Sequence, residues 1–326
     1  MTVLRVGTRG SALALAQTRQ IADSLAKTSG LEVELVTITT HGDTTTQSLA
    51  ELGGTGVFTG ALRDALLNDE IDVAVHSLKD LPTAQHPDIV LAAVPRRADA
   101  RDVLCARDGL TLATLPAGAR VGTGSPRRVA QVLSARPDVQ IVDIRGNIDT
   151  RLGRVFDDVD DDRRLDGILL AAAGLGRLGR ADAATQHLDL SDWPTAPGQG
   201  ALALETRRHD HGSAATRAIA KALAVVNHPT TRANVTAERS VLAGLEAGCA
   251  APLGATALVD DGLLFVTATV YSLDGTQKLT ASHAASLEGN GPSALLAAAE
   301  DAAARVVDEL LDGGAAQLAP LKGASR

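Results

Sequence analysis

The chain has 326 residues, 45% of them hydrophobic and 21% charged, which excludes a mini-protein and a disordered chain and predicts two or three domains. Its formal net charge of −8 argues against a non-specific nucleic-acid or anionic-membrane binder, and an aromatic content of 2% argues against base stacking. Two cysteines, Cys105 and Cys249, are too few for a disulfide framework, and no run reaches the roughly 18 apolar residues of a membrane span, so the expected setting is reducing and cytoplasmic.

Val3–Gly7 reads as a strand, Ser11–Lys27 as a helix with Leu15, Ile21, Ala22 and Leu25 on one face, and Glu32–Thr39 as a second strand rich in β-branched residues. Gly53-Gly54-Thr55-Gly56 is a loop and Val57–Asn68 a helix, while Ile71–Val75 and Ile89–Val94 are strands of the buried kind. The same grammar returns after Pro95: strand Arg120–Gly122, a helix from Pro126, strand Gln140–Ile144, a helix from Asn147 and strand Gly167–Ala171. Asp157–Asp162 with Arg163-Arg164 reads as a solvated loop, because like charges need water. Past Pro197-Gly198-Gln199-Gly200, strand Ala201–Glu205 is placed to rejoin the first sheet, and helices follow at Ala214–Val226 and Thr230–Ala247. A hairpin of Gly262–Tyr271 and Gln277–Ala285 turns at Asp274-Gly275 before a last, alanine-rich helix, Pro292–Leu311. The pattern is α/β: two βα units followed by a small α+β unit.

The charge is unevenly spread. Between Arg96 and Arg154 lie eleven Arg, six Asp and neither Lys nor Glu, a local charge of +5 against −13 for the remainder. Gly122-Thr123-Gly124-Ser125-Pro126-Arg127-Arg128 follows a strand and opens a helix. Ser125 is a natural N-cap, Pro126 suits the first helical position, and the free N–H groups with two arginines make an anion site. Arg145-Gly146-Asn147 and Arg151 repeat the idea at the next junction, and Arg177 follows the strand after that. Each arginine alone reads as a surface ion pair; together they read as a cleft for a ligand with several carboxylates or phosphates.

His76-Ser77-Leu78-Lys79-Asp80 also follows a buried strand. An Asp beside a Lys in a cleft stabilises a cation or shuttles a proton, or else closes a turn as an ion pair. Cys249, past a helix in Gly248-Cys249-Ala250-Ala251, is either an accessible thiol for attachment or a buried one; Cys105 reads as a core strand residue. The eight His show no metal-ligand spacing, and no metal is expected. On these residues alone, a non-enzymatic module that clamps an anionic small molecule, like a periplasmic binding protein, explains the lobes and the arginines but leaves Cys249 unused.

Eight segments in order resemble the porphobilinogen deaminase (hydroxymethylbilane synthase) family: Gly7–Leu15, Gly53–Phe58, Val75–Asp80, Val121–Arg128, Arg145–Arg151, Ala173–Gly179, Gly198–Ala201 and Gly248-Cys249. The resemblance implies a cytoplasmic, monomeric transferase of haem and tetrapyrrole biosynthesis. Such an enzyme joins four porphobilinogen molecules head to tail with loss of ammonia and releases a linear hydroxymethylbilane. It implies a dipyrromethane cofactor held by a thioether to Cys249, with the growing oligopyrrole as the bound polyanion and no nucleic acid or membrane as partner.

By position, Asp80 is implied to stabilise the azafulvenium-like cation and assist proton transfer. Ser77, Lys79, Thr123, Ser125, Arg127, Arg128, Arg145, Gly146 and Ala171 are implied to hold the cofactor. Arg9, Ser11, Gln17, Phe58, Arg151, Arg177, Gln199 and Gly200 are implied for substrate and the extending chain. The implied fold is two type II periplasmic-binding-protein-like βα domains, residues 1–95 with 196–213 and residues 101–190, plus a C-terminal α+β domain, residues 219–326, that presents Cys249. Three features depart from the family pattern: Thr55 and Gly176 stand where basic residues are common, and Asp157–Asp162 lengthens a loop.

Overall fold

In the computed structural model, residues 3–39, 59–208, 213–248, 251–289 and 291–321 are described. They form three sheets, two of five strands and one of three. The first sheet takes β1 (Val3–Arg9), β2 (Glu32–Ile38), β3 (Val73–Ser77), β4 (Ile89–Ala93) and β10 (Leu202–Arg207), in the order β2-β1-β3-β10-β4. The second takes β5 (Asp102–Ala106), β6 (Arg120–Gly122), β7 (Gln140–Val142), β8 (Gly167–Ala171) and β9 (Gln186–His187), in the order β7-β6-β8-β5-β9. The two orders are the same. In each sheet three parallel strands are followed by one antiparallel strand, β10 in the first and β5 in the second.

Each antiparallel strand reaches its sheet from the other lobe. β5 directly follows the first lobe, and β10 returns to the first lobe after the second is complete. The chain therefore crosses twice between the lobes, and parallel strands in both point their carboxyl ends toward the crossings. Open α/β sheets bind ligands at such ends.

Helices α1 (Ala12–Ser29) and α2 (Gly60–Leu67) cover opposite faces of the first sheet. Leu4, Val6, Ile21, Leu25, Val73 and Val75 pack on one side, and Leu62, Leu66, Ile71 and Ala74 on the other. In the second lobe α3 (Pro126–Ala135) buries Val132 against Leu104, Val121 and Leu169, while α4 (Ile148–Phe156) buries Leu152 and Val155 against Val103, Ile144 and Ile168. α6 (Ala214–Val226) returns to the first lobe, packing Ala222 and Leu223 beside Leu25. The C-terminal unit lays α7 (Pro229–Gly244) and α8 (Pro292–Asp312) on an antiparallel sheet of β11 (Leu253–Asp260), β12 (Leu263–Tyr271) and β13 (Lys278–Ser286). Its core is Ala233, Ala237, Ala299 and Ala302 facing Val266, Ala268 and Val270, and small side chains let helices lie close to a sheet that has few aromatics to fill gaps.

Several elements differ from expectation. Strand β3 begins at Val73 rather than Ile71; Ile71 is fully buried under α2, and Asp72 starts the pairing by accepting from the Arg5 N–H at 2.8 Å. Strand β11 was not anticipated, because Leu253–Asp260 hides its alternation behind Gly254, Ala255 and Ala257. α7 ends at Gly244, short of Ala247, with Glu246 turned to φ 49. A short helix α5 (Ala172–Arg177) and the two-residue strand β9 also had no clear sequence signal. Among the described residues, no helix is long and apolar enough to cross a membrane.

Candidate active-site cleft

The first lobe contributes the ends of β1 and β3. After Arg9, Ser11 caps α1 by accepting from the Ala14 N–H at 3.3 Å, and Gln17, one turn further, is buried. After Ser77 the chain makes a single 3-10 turn, Leu78–Asp80, with Leu78 as its buried anchor. Arg9, Ser11, Gln17, Ser77 and Asp80 line one cavity of about 70 Å³ together with His76. Behind it, His76 lies 3.3 Å from Glu205, whose carboxylate also takes two bonds from Arg63 at 3.0 and 2.7 Å. Burial alone would push Glu205 up, but nearby His76 and the bonds from Arg63 bring it down to about 2, so it stays ionised.

The second lobe contributes the ends of β6, β7 and β8. Pro126 opens α3 as expected, but the Ser125 side chain makes no cap bond; instead the Ser125 N–H donates to the Thr123 hydroxyl at 3.2 Å. Asn147 does cap α4, accepting from the Thr150 N–H at 2.8 Å. Arg127 and Arg128 are buried, not exposed. Both meet Asp102, Arg127 Nη1 at 2.8 Å from Oδ2 and Arg128 Nη2 at 2.7 Å from Oδ1. Arg145 is exposed and lies 3.6 Å from Asp143, Gly146 is exposed with φ 100, and Arg151 Nε donates to the Gly146 carbonyl at 2.9 Å. Burial pushes Arg151 down, and repulsion from Arg128 and Arg145 adds to it.

Gln199 joins the lobes. Its Oε1 stands 3.4 Å from both Lys79 Nζ of the first lobe and Arg128 Nη2 of the second, and its Nε2 donates to Asp102 and to the Ala100 carbonyl, each at 2.8 Å. Arg177 Nη2 donates to the Gly200 carbonyl at 2.8 Å. Gly200 has φ 85, and a Cβ there would sit 2.9 Å from the Ala98 carbonyl oxygen, so only glycine fits this crossing. Lys79 is pulled down to about 8, first by burial and then by Arg128 and Arg127, against the opposing pull of Asp80 and Asp102. Among the described residues the cleft thus concentrates cations in a shielded setting suited to anions, with Asp80 in the lining of its first-lobe cavity.

Two family models match the chain, both of porphobilinogen deaminase: the dipyrromethane cofactor binding domain over residues 4–215 and the C-terminal domain over residues 232–311. The chain is 64% identical over 320 residues to the porphobilinogen deaminase of Leifsonia xyli, covering 98% of this chain and 95% of that one. It is 52% identical over 313 residues to the Micrococcus luteus protein of the same name, covering 88% and 83%. The chain belongs to the porphobilinogen deaminase family. Among solved structures it is similar to immunogenic lipoprotein A from Vibrio vulnificus, with a TM-score of 0.41 and 13% identity over 68% of this chain and 94% of that one.

Members of the porphobilinogen deaminase family are enzymes, and this chain carries the family's cofactor-binding domain. The architecture is the one the resemblance implied, two βα lobes with a separate small C-terminal sheet unit. Phe58, Thr55 and Cys249 lie outside the described residues. Gly176 is exposed with open space where a Cβ would stand. Asp157–Asp162 is a solvent-facing loop as expected, and it is held in place by Arg120, which donates to the carbonyls of Asp161, Asp162 and Arg164.

The basic stretch is only partly a cleft lining. Arg97 pairs with Glu238 at 2.6 Å, Arg101 with Asp99 at 2.6 Å, and Arg136 with Asp138 at 2.6 Å, so three of the eleven arginines in the stretch are scaffold. Asp102 was missed. The available signal was an Asp opening an otherwise apolar strand, Asp102-Val103-Leu104-Cys105-Ala106, inside an arginine-rich stretch; such a carboxylate must be paired when buried.

Proposed function

We propose that this protein is a hydroxymethylbilane synthase that condenses four porphobilinogen molecules head to tail, releases ammonia at each step, and finally releases the linear product by hydrolysis. The observation that carries the reading is the Gln199 bridge, in which Lys79, the residue before Asp80, and Arg128 of the other lobe each stand 3.4 Å from one amide oxygen. Porphobilinogen and its oligomers bear acetate and propionate groups, and a cation-rich cleft with Asp80 in its wall suits a polyanion that becomes cationic at one carbon during reaction.

The residues fit the dipyrromethane. Arg127 Nε and Arg128 Nε are buried without a hydrogen-bond partner among the described residues, and Lys79, Arg145 and Arg151 add charge for its carboxylates. Cys249 would hold it by a thioether, and Ser77, Thr123, Ser125, Gly146 and Ala171 would contact it. When bound, it supplies the nucleophilic pyrrole carbon on which the chain grows.

Asp80 faces the cavity that also holds Arg9, Ser11 and Gln17. Its carboxylate accepts hydrogen bonds from substrate pyrrole N–H, and its negative charge favours the azafulvenium cation left when ammonia departs. The same carboxylate then takes the proton lost as the new pyrrole ring regains aromaticity. Arg9 binds substrate carboxylates there, and Arg151, Arg177, Gln199, Gly200 and Phe58 line the path of the extending chain.

The proposed domains are residues 1–95 with 196–213, residues 101–190, and residues 219–326, and the proposed state is a cytoplasmic monomer. The test is purified protein given porphobilinogen. It should release ammonia, with an Ehrlich-positive chromophore on the protein itself. Porphobilinogen bound but not consumed, on a protein that stays Ehrlich-negative, would instead mark a binding module.

A further inference from the structure

Asp102 opens β5, and its register partner is Ala171, the last residue of β8, so it stands at the carboxyl ends of the second lobe's parallel strands. None of its surface is exposed. Its two oxygens take four donors. Oδ2 accepts from Arg127 Nη1 at 2.8 Å and Trp193 Nε1 at 3.1 Å; Oδ1 accepts from Arg128 Nη2 at 2.7 Å and Gln199 Nε2 at 2.8 Å.

These donors come from α3, from the segment that leaves the second lobe, and from the turn before β10. A carboxylate with four donors is satisfied, and it fixes the direction of each donor. Arg128 is further aligned by the Leu169 carbonyl at 3.0 Å, and Arg127 by Gln131 at 2.6 Å. Although burial by itself would raise the carboxyl, Arg127 and Arg128 hold it far below the usual carboxylate range, so the negative charge persists at neutral pH.

We propose that Asp102 is a positioning residue for carboxylate recognition, which touches neither substrate nor cofactor but holds Arg128 and Gln199 aimed into the cleft, with Arg127 as the brace. The proposal rests on the functional reading above. Its physical content is that the long side chain of Arg128 would otherwise sample more rotamers, and that Gln199 would keep only the Ala100 carbonyl to fix which end of its amide faces Lys79.

The test is Asp102→Asn in the full-length holoenzyme, with porphobilinogen as the probe. The variant keeps the shape, removes the charge and turns one acceptor into a donor facing other donors. The expected result is a KM for porphobilinogen raised about tenfold or more with kcat per loaded enzyme changed less than about threefold, since binding geometry is lost and Asp80 is intact. Far-ultraviolet circular dichroism checks that the variant remains folded, since Trp193 bonds to Asp102 directly and its emission reports the local change.

A purely structural Asp102 would lower the melting temperature and leave KM of the folded enzyme unchanged, and that result overturns the proposal. If Asp102→Asn does not fold, Asp102→Asn/Arg127→Gln restores the net charge of the cluster and is compared with Arg127→Gln alone. A further rise in KM supports the proposal, and equal KM values overturn it. Wild-type protein that carries no pyrrole adduct and consumes no porphobilinogen would overturn the functional reading and this proposal with it, whereas an active wild type with an unaltered variant overturns this proposal alone.

Discussion

The two lobes share one strand order and place the charges at their shared cleft differently. In the first, Asp80 and Arg9 line a cavity, and the shielded Lys79 donates to an amide oxygen at 3.4 Å. The second buries its charge, closing Arg127 and Arg128 onto Asp102 inside the protein. Each antiparallel strand carries a buried carboxylate paired to arginine, Glu205 inside β10 and Asp102 at the start of β5. In the first lobe β10 is preceded by the neutral Gln199-Gly200 turn, and in the second β5 begins with Asp102. One topology therefore gives one wall that presents Asp80 and Arg9 to a cavity and another whose basic side chains are fixed by Asp102.

The sharpest way to break this contrast is Asp80→Ala. Removal of the only carboxylate assigned to the reaction should lower kcat by roughly a hundredfold to ten-thousandfold in a steady-state assay, with the fold intact by circular dichroism. Near-normal turnover would move the chemistry elsewhere.

The next test sets a buried arginine against an exposed one. Arg128→Leu leaves the fully buried Asp102 short of a partner and should destabilise the protein by about 3–5 kcal/mol in denaturant unfolding. Arg145→Leu, at a side chain 38% exposed, should change stability by less than about 0.5 kcal/mol and act on cofactor loading or the first condensation instead. Equal destabilisation by both would erase the distinction between the walls.

Lys79 gives a pH test. Its folded-state value of about 8 lies below the unfolded 10.5, so the unfolded chain binds more protons between those values. Stability from this group should therefore rise as pH increases from about 8 to 10.5, with its penalty fully present below 8. Thermal melts of Lys79→Met should lose that rise while porphobilinogen binding weakens. A Lys79→Met stability curve identical to wild type would show that the lysine is not shielded.

The last test is at Gly275, where the β12–β13 hairpin docks on α3. Its φ is 71, and a Cβ would stand 2.4 Å from the Ala130 carbonyl oxygen. Gly275→Ala should cost about 1–3 kcal/mol and shift the helix that carries both buried arginines, which a melt and a KM together would register.

Much of the lobe grammar was legible in the sequence, because it rests on local chemistry. Strand Gly167–Ala171 and the Pro126 helix start are found at the residues expected, and Asn147 caps its helix. What escaped depends on partners distant along the chain. Nothing local to Arg127 or Arg128 says that each closes on Asp102, 25 and 26 residues away, or that Arg97 is held by Glu238 from the C-terminal unit, 141 residues away. Strand β11 escaped for a different reason: alanine and glycine carry too little hydrophobic contrast to mark a buried face.

The central claim, a cation-walled cleft in which Asp80 extends a pyrrole chain anchored on Cys249, is tested most directly by intact-mass spectrometry of the purified protein after brief exposure to porphobilinogen. The account predicts a covalent pyrrole adduct at rest and a ladder of added pyrrole units on exposure. Cys249→Ser should show no adduct, and Asp80→Ala should show an adduct that does not extend. A wild-type spectrum at the unmodified mass before and after porphobilinogen, or a full ladder in Asp80→Ala, would contradict it.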